Sequence, residues 1–163
     1  MYLIAFALLL GLLTWLFSEY SIQKENDLYK PISLQSINGQ IGVRLKKSRV
    51  GHYIAEGKIN NQPVKFMIDT GATDVVISED LAKKAGIKKK TKIELITANG
   101  KTEGWSAIIT SLKLGEIEER EVRAVIVPSL GTVSPLLGMS FLERLSFEQQ
   151  GNELIIRKTF MVN

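Results

Sequence analysis

Phe66-Met67-Ile68-Asp69-Thr70-Gly71-Ala72-Thr73-Asp74-Val75-Val76-Ile77 sets one carboxylate, Asp69, in a tight turn between two apolar, strand-like runs. A buried aspartate is costly unless it is paired or hydrogen-bonded, so an acid framed by this much apolar sequence needs a purpose. Upstream, residues 53–59 and 64–68 alternate as strands and are joined at Asn60-Asn61-Gln62-Pro63, a turn-forming tetrapeptide. Downstream, residues 75–77 read as a short buried strand. Ser78 then stands as an N-cap, Glu79 and Asp80 fill a first helical turn, and Gly86 stops the helix. Residues 93–97 and 105–110 flank Asn99-Gly100, a strong hairpin signal. Residues 121–127 predict another strand and residues 138–145 a second short helix. Ser146-Phe147 and Leu154-Ile155-Ile156 predict a last hairpin across Gln150-Gly151-Asn152. Many short strands with one or two brief helices predict an all-β domain, a closed or nearly closed barrel.

The chain of 163 residues has room for one such domain, and 23% charged residues is ordinary for a globular protein. Cysteine is absent, which excludes a disulfide framework and a thiolate zinc site, and the single histidine, His52, excludes a multi-histidine metal site. His52 lies in Arg49-Val50-Gly51-His52-Tyr53, where a surface turn explains it. No glycine-rich phosphate loop occurs, and neither metal nor cofactor is expected. Lys83, Lys84, Lys88, Lys89, Lys90 and Lys92 form the strongest basic cluster. Such a patch could meet nucleic acid or anionic lipid. It lacks interleaved aromatics, so lysines at the negative end of a helix dipole are the better reading and no nucleic-acid partner is expected.

A second motif, Leu136-Leu137-Gly138-Met139-Ser140-Phe141-Leu142, answers the first across the length of the chain. With Asp69-Thr70-Gly71-Ala72 and the intervening Thr97-Ala98-Asn99-Gly100, it resembles the retropepsin-like aspartic proteases, specifically their bacterial membrane-anchored, single-pass branch. The resemblance runs from about residue 51 to residue 157 and holds three motifs in order. It implies a single-lobe acid-protease barrel with a flap hairpin, and an aspartic endopeptidase acting on a peptide or protein substrate. Peptide hydrolysis by aspartates needs two adjacent carboxylates, one ionised to take a proton from water and one protonated to polarise the scissile carbonyl. This chain carries a single Asp-Thr-Gly, so the second carboxylate has to come from another copy across a two-fold axis. The resemblance makes Asp69 catalytic and gives Thr70 a hydrogen bond across the axis. Gly71 would let the backbone turn and approach the substrate, while Ala72 keeps the cleft open. It makes Ala98, Asn99 and Gly100 the substrate-covering flap tip, and Leu136-Leu137-Gly138 a packing element beneath the loop. Asp74 is expected in a structural ion pair, and Glu79, Asp80 and Glu94 at the surface. The rival reading keeps the fold without the chemistry, as a non-proteolytic interaction module at the membrane.

Residues 1–18 carry no charge and are mostly Leu, Ala, Phe and Ile. As a helix they span about 27 Å, near the roughly 30 Å of a hydrocarbon core. Tyr2 marks one end, and Trp15, Phe17 and Tyr20 the other, as interfacial aromatics do. A cleavable signal peptide would carry a basic start and small residues at its cleavage site; the start of this chain has no Lys or Arg, and Ser18-Glu19-Tyr20 puts a large aromatic where a small residue belongs. An uncleaved transmembrane anchor at 1–18 is expected, then a polar tether at 19–42 and the protease domain at 43–163. Lys24 and Lys30 on the C-terminal flank lean towards a cytoplasmic domain by the positive-inside rule. The resemblance implies the opposite side of a bacterial inner membrane, the periplasm, and that placement is adopted.

Overall fold

Period-two burial writes most of this chain as strands. Residues 117–127, for instance, bury Ile117, Glu119, Val122 and Ala124 and turn their neighbours outward until the run becomes wholly apolar. The computed structural model describes residues 2–37, 40–97, 100–130 and 134–159, and their side chains except at 2–5, 21–27, 35–37, 129 and 159. In chain order the elements are α1 (Tyr2–Tyr29), β1 (Ile32–Ile37), β2 (Gln40–Lys46), β3 (Ile54–Ile59), β4 (Gln62–Ile68) and β5 (Val75–Ser78). There follow α2 (Glu79–Lys84), β6 (Lys92–Thr97), β7 (Gly100–Leu114), β8 (Ile117–Val127), β9 (Leu136–Leu137), α3 (Met139–Leu142), β10 (Ser146–Gln150) and β11 (Glu153–Thr159).

The expected barrel is present. Strands pair in the order β3, β4, β9, β5, β8, β7, and Lys58 and Ile59 of β3 pair back onto Lys113 and Leu112 of β7, which closes the ring. Its inside is filled by Ala55, Phe66, Ile77, Ile109, Ile126 and Leu137, each at most 2% exposed. β6 pairs with β7 alone, so the β6–β7 arm projects beyond the closed ring. The second sheet, in the order β1, β2, β11, β10, lays Val43, Leu45, Leu154 and Ile156 into the same apolar cluster.

Three expectations are corrected. The polar tether at 19–42 is largely regular structure: α1 continues to Tyr29, and β1 pairs antiparallel with β2, Ser33 facing Val43. Gln, Lys and Glu propagate a helix well, and the helix stops two residues short of Pro31. The first hairpin turns on Asn60-Asn61 alone, with φ of 43° and 70°, the left-handed pair of a two-residue turn. Gln62 and Pro63 therefore belong to β4. The terminal hairpin is longer than two short runs and supplies the centre of the second sheet, since β11 pairs with β2 over seven residues.

The α2 reading holds in detail. The Leu81 N–H donates to Ser78 Oγ at 3.2 Å. At the other end Ile87 N–H reaches Ala82 C=O and Gly86 N–H reaches Lys83 C=O, the doubled closure of a Schellman motif with Gly86 at φ +67°. On α1, Phe6, Leu8, Leu9, Leu10, Leu12, Leu13, Trp15, Leu16 and Phe17 are all exposed. The transmembrane helix expected at residues 1–18 is not found: among the described residues no helix is long and apolar enough to cross a membrane.

Candidate active site

β9 is two residues long, yet it decides where Asp69 sits. It lies between the strand that enters the Asp69 turn and the strand that leaves it, parallel to β4 and antiparallel to β5. Met67 N–H donates to Pro135 C=O at 2.9 Å and Asp69 N–H to Leu137 C=O at 3.2 Å, so the entering arm is fastened up to the acid itself. The carbonyls on the leaving arm are taken next: Ala72 C=O accepts from Met139 N–H and Thr73 C=O from Ser140 N–H, both at 2.8 Å. The same short segment thus grips the loop on both sides.

Gly138 is the pivot of that grip. A Cβ there would collide with the backbone carbonyl oxygens of Asp74 and Ala72, so no other residue fits without moving the loop. Gly71 is needed for a different reason from the one expected. Its φ lies outside the left-handed region, but its N–H donates to Asp69 Oδ1 at 2.9 Å and a Cβ would stand 3.2 Å from that oxygen. The glycine keeps the carboxylate's side clear. Asp69 is half-buried, Thr70 and Gly71 are exposed, and Ala72 is half-buried. The result is one carboxylate, oriented by a backbone N–H and reachable from outside, able to accept or release a proton.

Asp74 makes the expected ion pair, with Arg123 Nε 3.1 Å from Asp74 Oδ1. Arg123 also reaches Glu143 at 3.4 Å. Chiefly through Asp74, these carboxylates hold the guanidinium more firmly protonated than usual. Sequence reasoning missed Arg123 because its partner lies 49 residues away. It also missed Ser140, fully buried on the inner side of the loop. Its signal was a lone hydroxyl inside the apolar run Met139-Ser140-Phe141-Leu142.

The hairpin expected as a flap exists as the β6–β7 arm. Thr97 pairs with Gly100, whose φ is +102°, and Thr97 Oγ1 donates to Gly100 C=O at 2.8 Å. Ala98 and Asn99 lie outside the described residues. At the arm's base Lys89 Nζ stands 3.8 Å from the Trp105 ring centre and 3.1 Å from Glu79, while Lys92 pairs with Glu103 at 2.8 Å. Lys83 also meets Glu79, at 3.4 Å. Half of the basic cluster is therefore engaged within the domain, though only Lys83 and Lys84 lie in the last turn of α2, where the helix-dipole reading expected the cluster. His52 is exposed, and Asp80 and Glu94 are at the surface. Among the described residues no group of three or more histidine, aspartate or glutamate side chains could hold a metal.

Known proteins resemble this chain. The model of a family described as "gag-polyprotein putative aspartyl protease" matches residues 55–144. A retropepsin-like aspartic protease of Rickettsia conorii superposes with a TM-score of 0.62 at 27% identity, covering 80% of this chain and 96% of its own. An uncharacterized protein of Rickettsia prowazekii is 33% identical over 116 residues, 69% of this chain and 49% of the relative. A protein encoded 5′ of cobV in a Sinorhizobium species is 28% identical over 123 residues, 73% of this chain and 53% of the relative. The chain spans about half the length of the curated relatives it matches. The matched span takes in Asp69, the β6–β7 arm and β9, over half of the sequence, and on it the chain belongs to the gag-polyprotein aspartyl protease family, with a retropepsin-like fold.

Proposed function

We propose that the chain is a membrane-anchored aspartic endopeptidase whose dyad is two Asp69 side chains, one from each copy of a homodimer. The observation that carries this reading is the carriage of Asp69: an accessible carboxylate, fastened at its N–H by β9 and at Oδ1 by Gly71. One ionised Asp69 takes a proton from water as the oxygen adds to the scissile carbonyl carbon. The protonated Asp69 of the partner copy hydrogen-bonds the carbonyl oxygen, and a proton then passes to the departing amine. Like charges this close cannot both ionise, so the pair shares one proton. Thr70 links the two loops, Gly71 and Ala72 leave room for the peptide backbone, and Ala98, Asn99 and Gly100 close over it to exclude water.

The anchoring part of this proposal rests on the exposed apolar surface of α1. Apolar side chains are exposed at consecutive positions from Leu8 to Leu10 and again from Trp15 to Phe17, all round the helix rather than on one stripe. A helix apolar on every side wants lipid or protein about it. We place the anchor in a bacterial inner membrane with the domain in the periplasm.

Asp69→Asn tests the chemistry. With folding verified by circular dichroism, cleavage of a peptide library should fall to background, since each dimer loses both ionisable groups. Wild-type chains that fold, dimerise and cut nothing between about pH 3 and pH 7 would favour the non-proteolytic interaction module.

A further inference from the structure

We infer that the Ser140 hydroxyl is a positioning residue for the dyad, the group that sets how far the leaving arm of the Asp69 loop stands from the barrel wall. The inference rests on the reading of Asp69 as catalytic. Ser140 is fully buried, one of few buried polar side chains among the described residues, and it interrupts a run that is otherwise core. Burying a hydroxyl is unfavourable unless both its donor and its acceptor capacity are used. Here both are used, on two different strands. Ser140 Oγ donates to the Arg123 carbonyl of β8 at 2.7 Å and accepts from the Val75 N–H of β5 at 3.1 Å.

The location of those partners gives the hydroxyl its role. Val75 is the first residue of β5, where the Asp69 loop ends, and Arg123 precedes Ala124, which pairs with Val75 in the parallel β5–β8 ladder. That ladder begins only at this pair, so the loop's last backbone N–H finds its acceptor in Ser140 instead of in β8. The Ser140 N–H meanwhile holds Thr73 C=O at 2.8 Å. One residue therefore binds the leaving arm on both sides of Asp74 and ties it to the wall. Arg123 enters this linkage through its carbonyl alone, which takes the hydroxyl; its guanidinium, 3.1 Å from the Asp74 carboxylate, is a separate, exposed ion pair. The entering arm, by contrast, is held from both flanks by backbone alone, through β9 on one side and Tyr53, whose C=O accepts from Ile68 N–H at 2.9 Å, on the other. Loss of the hydroxyl takes away the acceptor of the buried Val75 N–H and a donor from the Arg123 C=O, and the arm has to shift to compensate.

Dyad chemistry is sensitive to such a shift, because the two carboxylates have to share one proton. A displacement of order 1 Å costs up to about a hundredfold in rate. Moving the acids apart also weakens their coupling, so the lower apparent value rises, the upper one falls and the bell of kcat against pH narrows. A role confined to packing would lower stability without altering the profile of the chains that remain folded.

The experiment compares full-length wild type with Ser140→Ala, Ser140→Thr and Arg123→Gln in detergent, measuring kcat, KM and the pH profile per folded dimer. Ser140→Ala is expected to lose about tenfold or more in kcat with KM changed less than about threefold, and to narrow the bell. Ser140→Thr, which restores the hydroxyl, is expected to recover most of kcat. Arg123→Gln, which keeps the carbonyl partner and removes only an exposed ion pair, is expected to stay within about threefold of wild type. Wild-type kcat and bell width in folded Ser140→Ala would overturn the inference, as would a folded Ser140→Thr with no recovery. Should Ser140→Ala fail to fold, Ser140→Cys takes its place, a weaker donor of similar size that is expected to fall between alanine and wild type; equality with wild type would count against the inference. The Asp69 reading fails separately, through activity that survives Asp69→Asn.

Discussion

At Gly138 a single hydrogen atom separates a working loop from an obstructed one. Gly138→Ala would drive a methyl group into the carbonyls of Asp74 and Ala72, and because backbone cannot rotate away as a side chain can, the cost should be about 3 kcal/mol or more. Urea denaturation of the variant measures it, and a loss under about 1 kcal/mol would show that the loop yields freely. The motif around this glycine was legible because its residues are rare in combination: Asp69, Gly71 and Gly138 sit at the positions where the geometry needs an acid or the absence of a side chain. What could not be read were partners distant in sequence. Arg123 reaches Asp74 and the Ser140 hydroxyl joins two strands; the lone hydroxyl in its apolar run marks Ser140 as buried polar, but nothing local names the partners of either residue.

Elements were legible wherever their ends are chemically marked. Ser78 begins α2 and Gly86 ends it with both Schellman bonds made, so Ser78→Ala should cost about 1 kcal/mol, the usual worth of an N-cap. Thermal unfolding measures that cost; no change would mean that the β5–α2 junction holds the turn unaided. Boundaries slipped where two elements share one composition. Glu19 to Tyr29 read as irregular because the helical period dissolves into polar residues, yet the helix carries through. Pro63 read as turn, yet it lies in β4 opposite Lys58, a strand position where its missing N–H can be spared. The β6–β7 arm is tied at its base by Lys89 between Trp105 and Glu79. Trp105→Ala should loosen that base, raising KM for peptides more than it lowers kcat. An unchanged KM would separate the arm from substrate binding.

For the whole molecule the ring of strands was foreseen and the second sheet was not, because its strands come from opposite ends of the chain. The proposed dimer makes a quantitative demand: specific activity per chain should fall on dilution below the dimer dissociation constant, and excess Asp69→Asn chains should suppress it. Anchoring confines copies to a plane and raises their effective concentration, so a soluble form beginning at Lys30, which keeps β1, should recover activity when fused to a constitutive dimeriser. Constant specific activity on dilution, with no suppression in the mixture, would require a monomeric mechanism. Acid stability has its own signature. Glu79, Glu118 and Glu148 titrate below the ordinary 4.5, held there chiefly by Lys89, Lys113 and Arg157 respectively. Their pairs therefore stabilise the fold above that value, and the contribution is lost as pH falls through the lowered ones. The urea midpoint should drop between about pH 5 and pH 3, less so in about 1 M salt; a midpoint flat across that range would show the pairs to be inert.

The second sheet also sets a timetable for synthesis. β2 forms its central pairing with β11, from Gln40 with Thr159 to Lys46 with Glu153, so a strand translated before the ring waits for one translated after it. The ring of β3 to β9 needs only residues up to Leu137 and can close while the ribosome still holds the remainder. Contacts this far apart in sequence form slowly, and until they form, the inner faces of Val43 and Leu45 stay bare beside the emerging apolar helix. A chain of this design acquires its barrel first and its seal afterwards, once β11 is free to reach β2.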